Sequence, residues 1–226
     1  MNKSLYIKIA VRLLLFFPIA GILIFLPAGT LNYWEAWVFI AVFFACNLAL
    51  TGYLVFKDPK LLERRMKVGP AAEKTMTQKI IAVLAFVFFA GTAVVPALDH
   101  RFGWSDVPVS VVFLGNLLIL VSYFGFYRVL RENTYAAAAI QVEEEQKVIS
   151  TGPYAIVRHP MYSAALIMSL GIILALGSWV GLLSLVPGIL VVVWRLVDEE
   201  EFLHKDLPGY TGYTRKVRWR VIPGIF

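Results

Sequence analysis

One cysteine in 226 residues, Cys46, excludes an intramolecular disulfide and any metal cluster built from several thiolates. It lies inside an apolar run and reads as a small packing residue. Charge is also scarce. Asp, Glu, Lys and Arg make up 16% of the chain while hydrophobic types reach 59%, and the mean hydropathy is +0.73. Such a balance excludes an ordinary soluble domain and points to an integral membrane protein. The three histidines lack metalloenzyme spacing, so no metal site is expected. GxGxxG, GxxxxGK[ST] and GxSxG are all missing, which removes support for soluble nucleotide-binding folds and for serine hydrolases. A net charge of +6 comes without a basic-aromatic recognition motif, so it speaks for basic cytoplasmic loops rather than for nucleic acid.

What the chain does have is long apolar runs. About 20 apolar residues carry a helix across the hydrocarbon core, and the runs at roughly 8–27, 34–56, 79–98 and 107–128 qualify. Two shorter ones, roughly 161–176 and 179–197, are separated by Leu176-Gly177-Ser178 and read as a tight helical hairpin. Lys3, Lys8 and Arg12 precede the first run, but Leu13 to Pro27 lacks a small-residue cleavage site, so a retained first helix is expected. The expected fold is an all-α integral membrane protein of about six transmembrane helices forming one membrane domain. Residues 1–124 are its N-terminal spans, and 125–226 a core completed by a cytoplasmic tail.

Lysine and arginine set the orientation. With the N-terminus in the cytoplasm and every run crossing, only Arg101 of the 21 basic residues falls outside. The segment from Lys57 to Lys79 carries seven basic residues against three acids and reads as a positive-inside determinant touching anionic headgroups. The stretch IQVEEEQKVI, Ile140 to Ile149, reads as a short strand pair or an exposed loop.

Polar groups concentrate at the foot of the hairpin. Asn133, Tyr135, Tyr154, Arg158, His159 and Tyr162 come from one flank, and Arg195, Asp198, Glu199, Glu200, Glu201, His204, Tyr210 and Tyr213 from the other. Ionisable groups at a membrane edge are costly and so mark a site. Pro160 suits a first helical turn and places His159 at the cap. Arg195 and Glu199 stand at i and i+4 on one helix face. Four successive carboxylates after the last run oppose the helix dipole and call for a nearby cation: Arg195, Arg158, the tail's Arg215, Lys216, Arg218 and Arg220, or a cationic ligand.

Arg131-Glu132-Asn133, TGPYAIVRHPMY (Thr151 to Tyr162), the hairpin, RLVDEEEF (Arg195 to Phe202) and PGYTGYTRKVRWRVIPGIF together resemble the isoprenylcysteine carboxyl methyltransferase family, and more loosely the phospholipid N-methyltransferases. The resemblance covers roughly residues 125–226. It implies S-adenosylmethionine in a cytoplasmic pocket made by hairpin and tail, and a lipophilic or lipid-modified acceptor, such as an isoprenylcysteine-type carboxylate, arriving from the bilayer. By the same resemblance Tyr154, His159 and Tyr162 surround the cofactor, with Arg158, Pro160 and Tyr213 in the same set. Glu199 and Glu200 contact its polar end, a register one residue on bringing in Glu201, and Arg195 with Glu199 orients or activates the acceptor. A sulfonium cofactor suits carboxylates and aromatic faces, and an arginine fork suits a carboxylate acceptor. Two other readings stay open: an NADPH-dependent membrane reductase of sterol-reductase type, whose dinucleotide phosphates sit badly with DEEEF, and a non-enzymatic scaffold.

The charge count predicts six crossings with both termini cytoplasmic, and a bacterial inner membrane is the expected location. Reporter fusions at Lys74 and Lys205 are expected to behave as cytoplasmic and one at Arg101 as external. An external signal at Lys205 means that the hairpin does not cross twice.

Overall fold

The structure, a computed structural model, describes residues 3–136 and 146–226. Most of the Ile140 to Ile149 stretch, expected as strand pair or loop, lies outside the described residues. Among the described residues all regular structure is helical. The protein is an all-α integral membrane protein with five helical segments long and apolar enough to cross a bilayer: Leu5–Ala28, Trp34–Lys57, Met76–Phe102, Val109–Glu132 and Val180–Asp206.

Helix α1, Lys3–Ala20, contains Pro18 and passes through a wide π turn, Gly21–Phe25, into the short α2, Leu26–Ala28. Proline removes one backbone donor and crowds the preceding turn, the ordinary cause of such a shift in the ladder. Gly29 ends it with φ 67. Helix α3, Trp34–Lys57, is followed at once by α4, Pro59–Met66, where Asp58 accepts a hydrogen bond from the Leu61 amide at 2.9 Å and Pro59 occupies the first turn. Helix α5, Met76–Phe102, opens with a reciprocal capping box between Thr75 and Gln78. Helix α6 is Val109–Glu132, α7 Pro160–Ala175, α8 Leu185–Asp206 and α9 Tyr210–Lys216.

The expected hairpin is present as α7 and α8, with two adjustments. The second arm enters through a 3₁₀ turn, Val180–Ser184, and α8 runs on to Asp206 instead of ending near 197. The acidic run therefore sits in mid-helix, not at a C-terminus, and the basic residues of the last turn are His204 and Lys205, as the dipole favours. At 16 residues, α7 spans roughly 24 Å, short of the hydrocarbon thickness. It is shielded by protein: Ala164, Met168 and the whole run from Gly171 to Ala175 are buried.

Helices α6 and α7 meet backbone to backbone. A Cβ on Gly115 falls 2.2 Å from the Ala175 nitrogen, and one on Gly171 falls 3.0 Å from the Gly115 carbonyl oxygen. Ser122 donates to the Ala164 carbonyl at 2.7 Å across the same seam. With no hydrophobic drive between helices in lipid, close approach of small residues and interhelical hydrogen bonds hold them together. At the opposite end from the polar flanks, buried Asp99 accepts from the Ser105 amide at 2.8 Å and from the hydroxyls of Ser105 and Ser178, which ties the hairpin tip to the α5–α6 loop. Tyr33 donates to the Leu176 carbonyl and stacks on His100. Both clamps fix where the hairpin turns and so how its two feet meet.

Replacing Gly115 by Leu forces α6 and α7 apart. It is expected to destabilise the protein by at least about 1–3 kcal/mol, read as a lower unfolding midpoint in detergent. An unchanged midpoint removes the close crossing as the organiser of the hairpin.

Candidate functional site

The polar flanks do converge. Gly152, at φ 56, starts a 3₁₀ turn over Gly152–Ala155 that lays Thr151 against Glu132 of α6. The turn carries Tyr154 to Asn133, whose amide donates to the phenol oxygen at 3.0 Å. Tyr213 of α9 donates to the Tyr154 carbonyl at 2.7 Å. Ahead of α7 the chain is extended and the tail runs across it. The Arg158 amide donates to the Trp219 carbonyl at 2.9 Å and the His159 amide to the Arg220 carbonyl at 2.8 Å. Ser163 closes on the Val221 carbonyl at 2.6 Å. The tail thus satisfies donors that a helix start leaves orphaned, and His159 is the cap residue with Pro160 next, as the sequence suggests.

Glu200 is the convergence point. Its Oε1 lies 2.9 Å from Arg158 Nη1 and 3.2 Å from His159 Nε2, and its Oε2 accepts from Arg220 Nε at 2.9 Å. The residue is 5% exposed, and so is the His159 side chain. Tyr210 completes the contact, its hydroxyl 3.4 Å from His159 Nε2. Of the cations the acidic run calls for, the structure uses Arg158 and Arg220. Glu201 faces outward and is exposed, so Glu199 and Glu200 are the inward pair.

One helical face away, Arg195 and Glu199 share Tyr162. The tyrosine donates to Glu199 Oε2, and its hydroxyl is close enough to the guanidinium to feel its charge. The ion pair that Arg195 makes is with Glu73, its Nη2 standing 2.7 Å from Glu73 Oε1, both side chains nearly buried at 12% and 4% exposure. The i, i+4 placement of Arg195 and Glu199 therefore gives a shared tyrosine rather than a direct pair. Gln78, in the first turn of α5, adds a second tie, donating to Asp198 at 3.2 Å. The segment expected only as a positive-inside determinant thus also reaches the site. Its Arg64 and Arg65 donate to the carbonyls of Thr134 and Ala136 at 3.0 and 3.1 Å. Glu73 carries no sequence signal of its own, being one carboxylate in a basic loop, and no periodicity links it to Arg195.

A cavity of about 60 Å³ opens between Tyr154, Arg158, Leu207, Tyr210, Tyr213 and Asn133. Burial raises the Tyr154 phenol to about 12, with the Glu199 charge adding to it against the Asn133 hydrogen bond. Tyr210 and Tyr213 are pushed further up, again chiefly by burial. All three are neutral at physiological pH and offer aromatic faces and hydroxyl donors, not phenolate bases. Two buried cationic nitrogens, Arg158 Nε and Arg195 Nη1, have no hydrogen-bond partner among the described residues. Buried donors of this kind are normally satisfied, so both mark where an anionic or carbonyl oxygen fits. His204 pairs with Thr211 instead, at 3.0 Å, and His100 lies at the far end of the bundle.

Residues 110–207 match the family described as phospholipid methyltransferase. The chain is also 28% identical over 148 residues to protein-S-isoprenylcysteine O-methyltransferase B of Arabidopsis thaliana, an alignment covering 61% of this chain and 68% of that protein. Both matches fall on methyltransferases and support the isoprenylcysteine carboxyl methyltransferase resemblance read from the C-terminal motifs.

Glu200→Ala leaves two arginines without their shared carboxylate in a largely buried site. It is expected to cost about 3–5 kcal/mol of stability in detergent, whereas Glu201→Ala, on the exposed side, stays within about 0.5 kcal/mol. Equal unfolding midpoints for the two variants exclude Glu200 as the tie between α7, α8 and the tail.

Proposed function

We propose that the chain transfers a methyl group from S-adenosylmethionine to a lipophilic acceptor, an isoprenylcysteine-type carboxylate entering from the bilayer, at the cytoplasmic edge of a bacterial inner membrane. The observation that carries this is the pair of partnerless buried arginine nitrogens, one in the tail-covered cavity and one on the α7–α8 face. They supply two separate anion-binding positions, one for each substrate.

The residues present suit the cofactor. The cavity's tyrosines offer faces for a sulfonium and an adenine, and Arg158 Nε offers a donor for the amino-acid carboxylate. Its volume takes only part of such a molecule, so binding has to displace the Val148 and Leu203 side of the wall. When bound, the cofactor supplies a methyl group on a sulfonium, a good electrophile with a neutral thioether as leaving group. Everything else is positioning. Glu200 holds Arg158 and His159 in place from α8 while Tyr210 and Tyr213 close the cytoplasmic side. Arg195 binds one oxygen of the acceptor carboxylate through Nη1 and leaves the other free to attack in line. Tyr162, held by Glu199, fixes the guanidinium from the other side. An acceptor that is already anionic needs no base, in keeping with tyrosines held neutral. The tail and α9 exclude water from the transfer.

The same reading assigns residues 125–226 to the methyltransferase core. Thermal-shift measurements in detergent with S-adenosylhomocysteine and NADPH side by side test it. Stabilisation by the former alone is expected, and Arg195→Lys is expected to retain that response while turnover with a farnesylcysteine acceptor falls, since lysine keeps the charge but loses the fork. Stabilisation by NADPH instead returns the reductase reading, and full turnover in Arg195→Lys removes the orienting role.

A further inference from the structure

The Arg195 site already holds an anion of its own. Glu73 reaches it from the short loop between α4 and α5, sits 7% exposed, and places a carboxylate oxygen 2.7 Å from Nη2. Glu199 stands on the opposite side through Tyr162, and Asp198 holds Gln78 next to it. One guanidinium thus faces carboxylates from two elements before any acceptor arrives, and a third within contact is repelled by both. Only one of the two can give way. Glu199 is fixed in mid-helix, whereas Glu73 lies between the 3₁₀ turn Pro70–Ala72 and the capping box that starts α5.

We propose that Glu73, held on Nη2, competes for the single Arg195 charge with the acceptor's carboxylate arriving at Nη1. An anionic acceptor then binds only as the loop carrying Glu73 withdraws, and Glu73 is the residue that sets how strongly anionic acceptors are taken. This rests on the methyltransferase reading above, with Arg195 as the acceptor's anchor. The arrangement has a physical use: without an acceptor, the buried guanidinium keeps a partner and the site is closed at the bilayer edge. With an acceptor bound, Glu73 moves to an aqueous margin whose neighbours Lys67, Lys74 and Lys79 are exposed cations. Exchange of one carboxylate for another keeps the charge at Arg195 constant throughout. A neutral ligand has nothing to exchange, so it leaves the loop in place.

The test uses the full chain in detergent micelles with two probes, N-acetyl-S-farnesylcysteine and its methyl ester, identical but for the negative charge. Binding is followed by tryptophan fluorescence. Glu73→Gln is expected to tighten the free carboxylate about tenfold and to leave the ester unchanged, while Glu73→Asp restores wild-type discrimination. In wild-type protein, the carboxylate and not the ester is expected to speed tryptic cleavage after Lys74. That arm decides the matter on its own where the Gln variant does not accumulate. Equal effects of Glu73→Gln on both probes, or a cleavage rate blind to the carboxylate, overturn the exchange and leave Glu73 as a packing contact. If neither probe binds any form and S-adenosylhomocysteine gives no stabilisation, the methyltransferase reading fails along with it.

Discussion

A single buried carboxylate on α8 ties the foot of the hairpin to the C-terminal tail. Glu200 takes Arg158 and His159 from the approach to α7 and Arg220 from the tail, so its two oxygens join three chain segments. A carboxylate at 5% exposure is costly unless every lone pair is used. Here the partners include guanidinium groups whose backbone neighbours are themselves engaged, through the Arg158–Trp219 and His159–Arg220 hydrogen bonds. Side-chain and main-chain ties therefore reinforce one another, and the tail is pinned over the start of the hairpin rather than lying loose on the membrane.

The second acidic position on the same helix works differently. Glu199 touches Tyr162, and the charge it lacks is supplied at one remove by Arg195, whose own ion pair goes to Glu73. Neighbouring carboxylates in α8 thus face different surroundings, because successive helical residues point about 100° apart. Glu200 faces the tail and the approach to α7, Glu199 faces Tyr162 of α7, and Glu201 faces out. That separation gives one short acidic run two sets of partners, Arg158, His159 and Arg220 at Glu200 and Tyr162 at Glu199.

The N-terminal spans are more than a raft. The α3–α4 corner brings Arg64 and Arg65 onto the carbonyls that follow α6, while the loop after α4 brings Glu73, and the first turn of α5 brings Gln78, onto α8. At the other end Asp99 and Tyr33 clamp the hairpin tip. The close crossing of α6 and α7 at Gly115 and Gly171 lies between these two tied ends. Fixing both ends and the middle of a short helix such as α7 is what allows 16 residues to serve in a bilayer.

The sequence by itself determined the class, the helices and one flank of the site. Apolar length decides what crosses a membrane, and proline, glycine and capping residues act within a few positions. The spans, the Pro160 start and the Gly177 turn are therefore legible directly. The meeting of His159 with Glu200 was legible too, since a hairpin has to return its feet to one place. Tertiary structure decided which partner each charge takes. The helical spacing of Arg195 and Glu199 suggested a pair, but Tyr162 lies between them and Glu73, 122 positions from Arg195, takes the guanidinium. Nor did the end of the apolar run mark the end of α8: Glu200 beyond it pairs with Arg158 and Arg220 from other segments, and the helix continues. Local pattern fixes where a helix begins and which face is apolar. A long-range ion pair depends on how whole helices are docked, and nothing in the spacing of one segment encodes that.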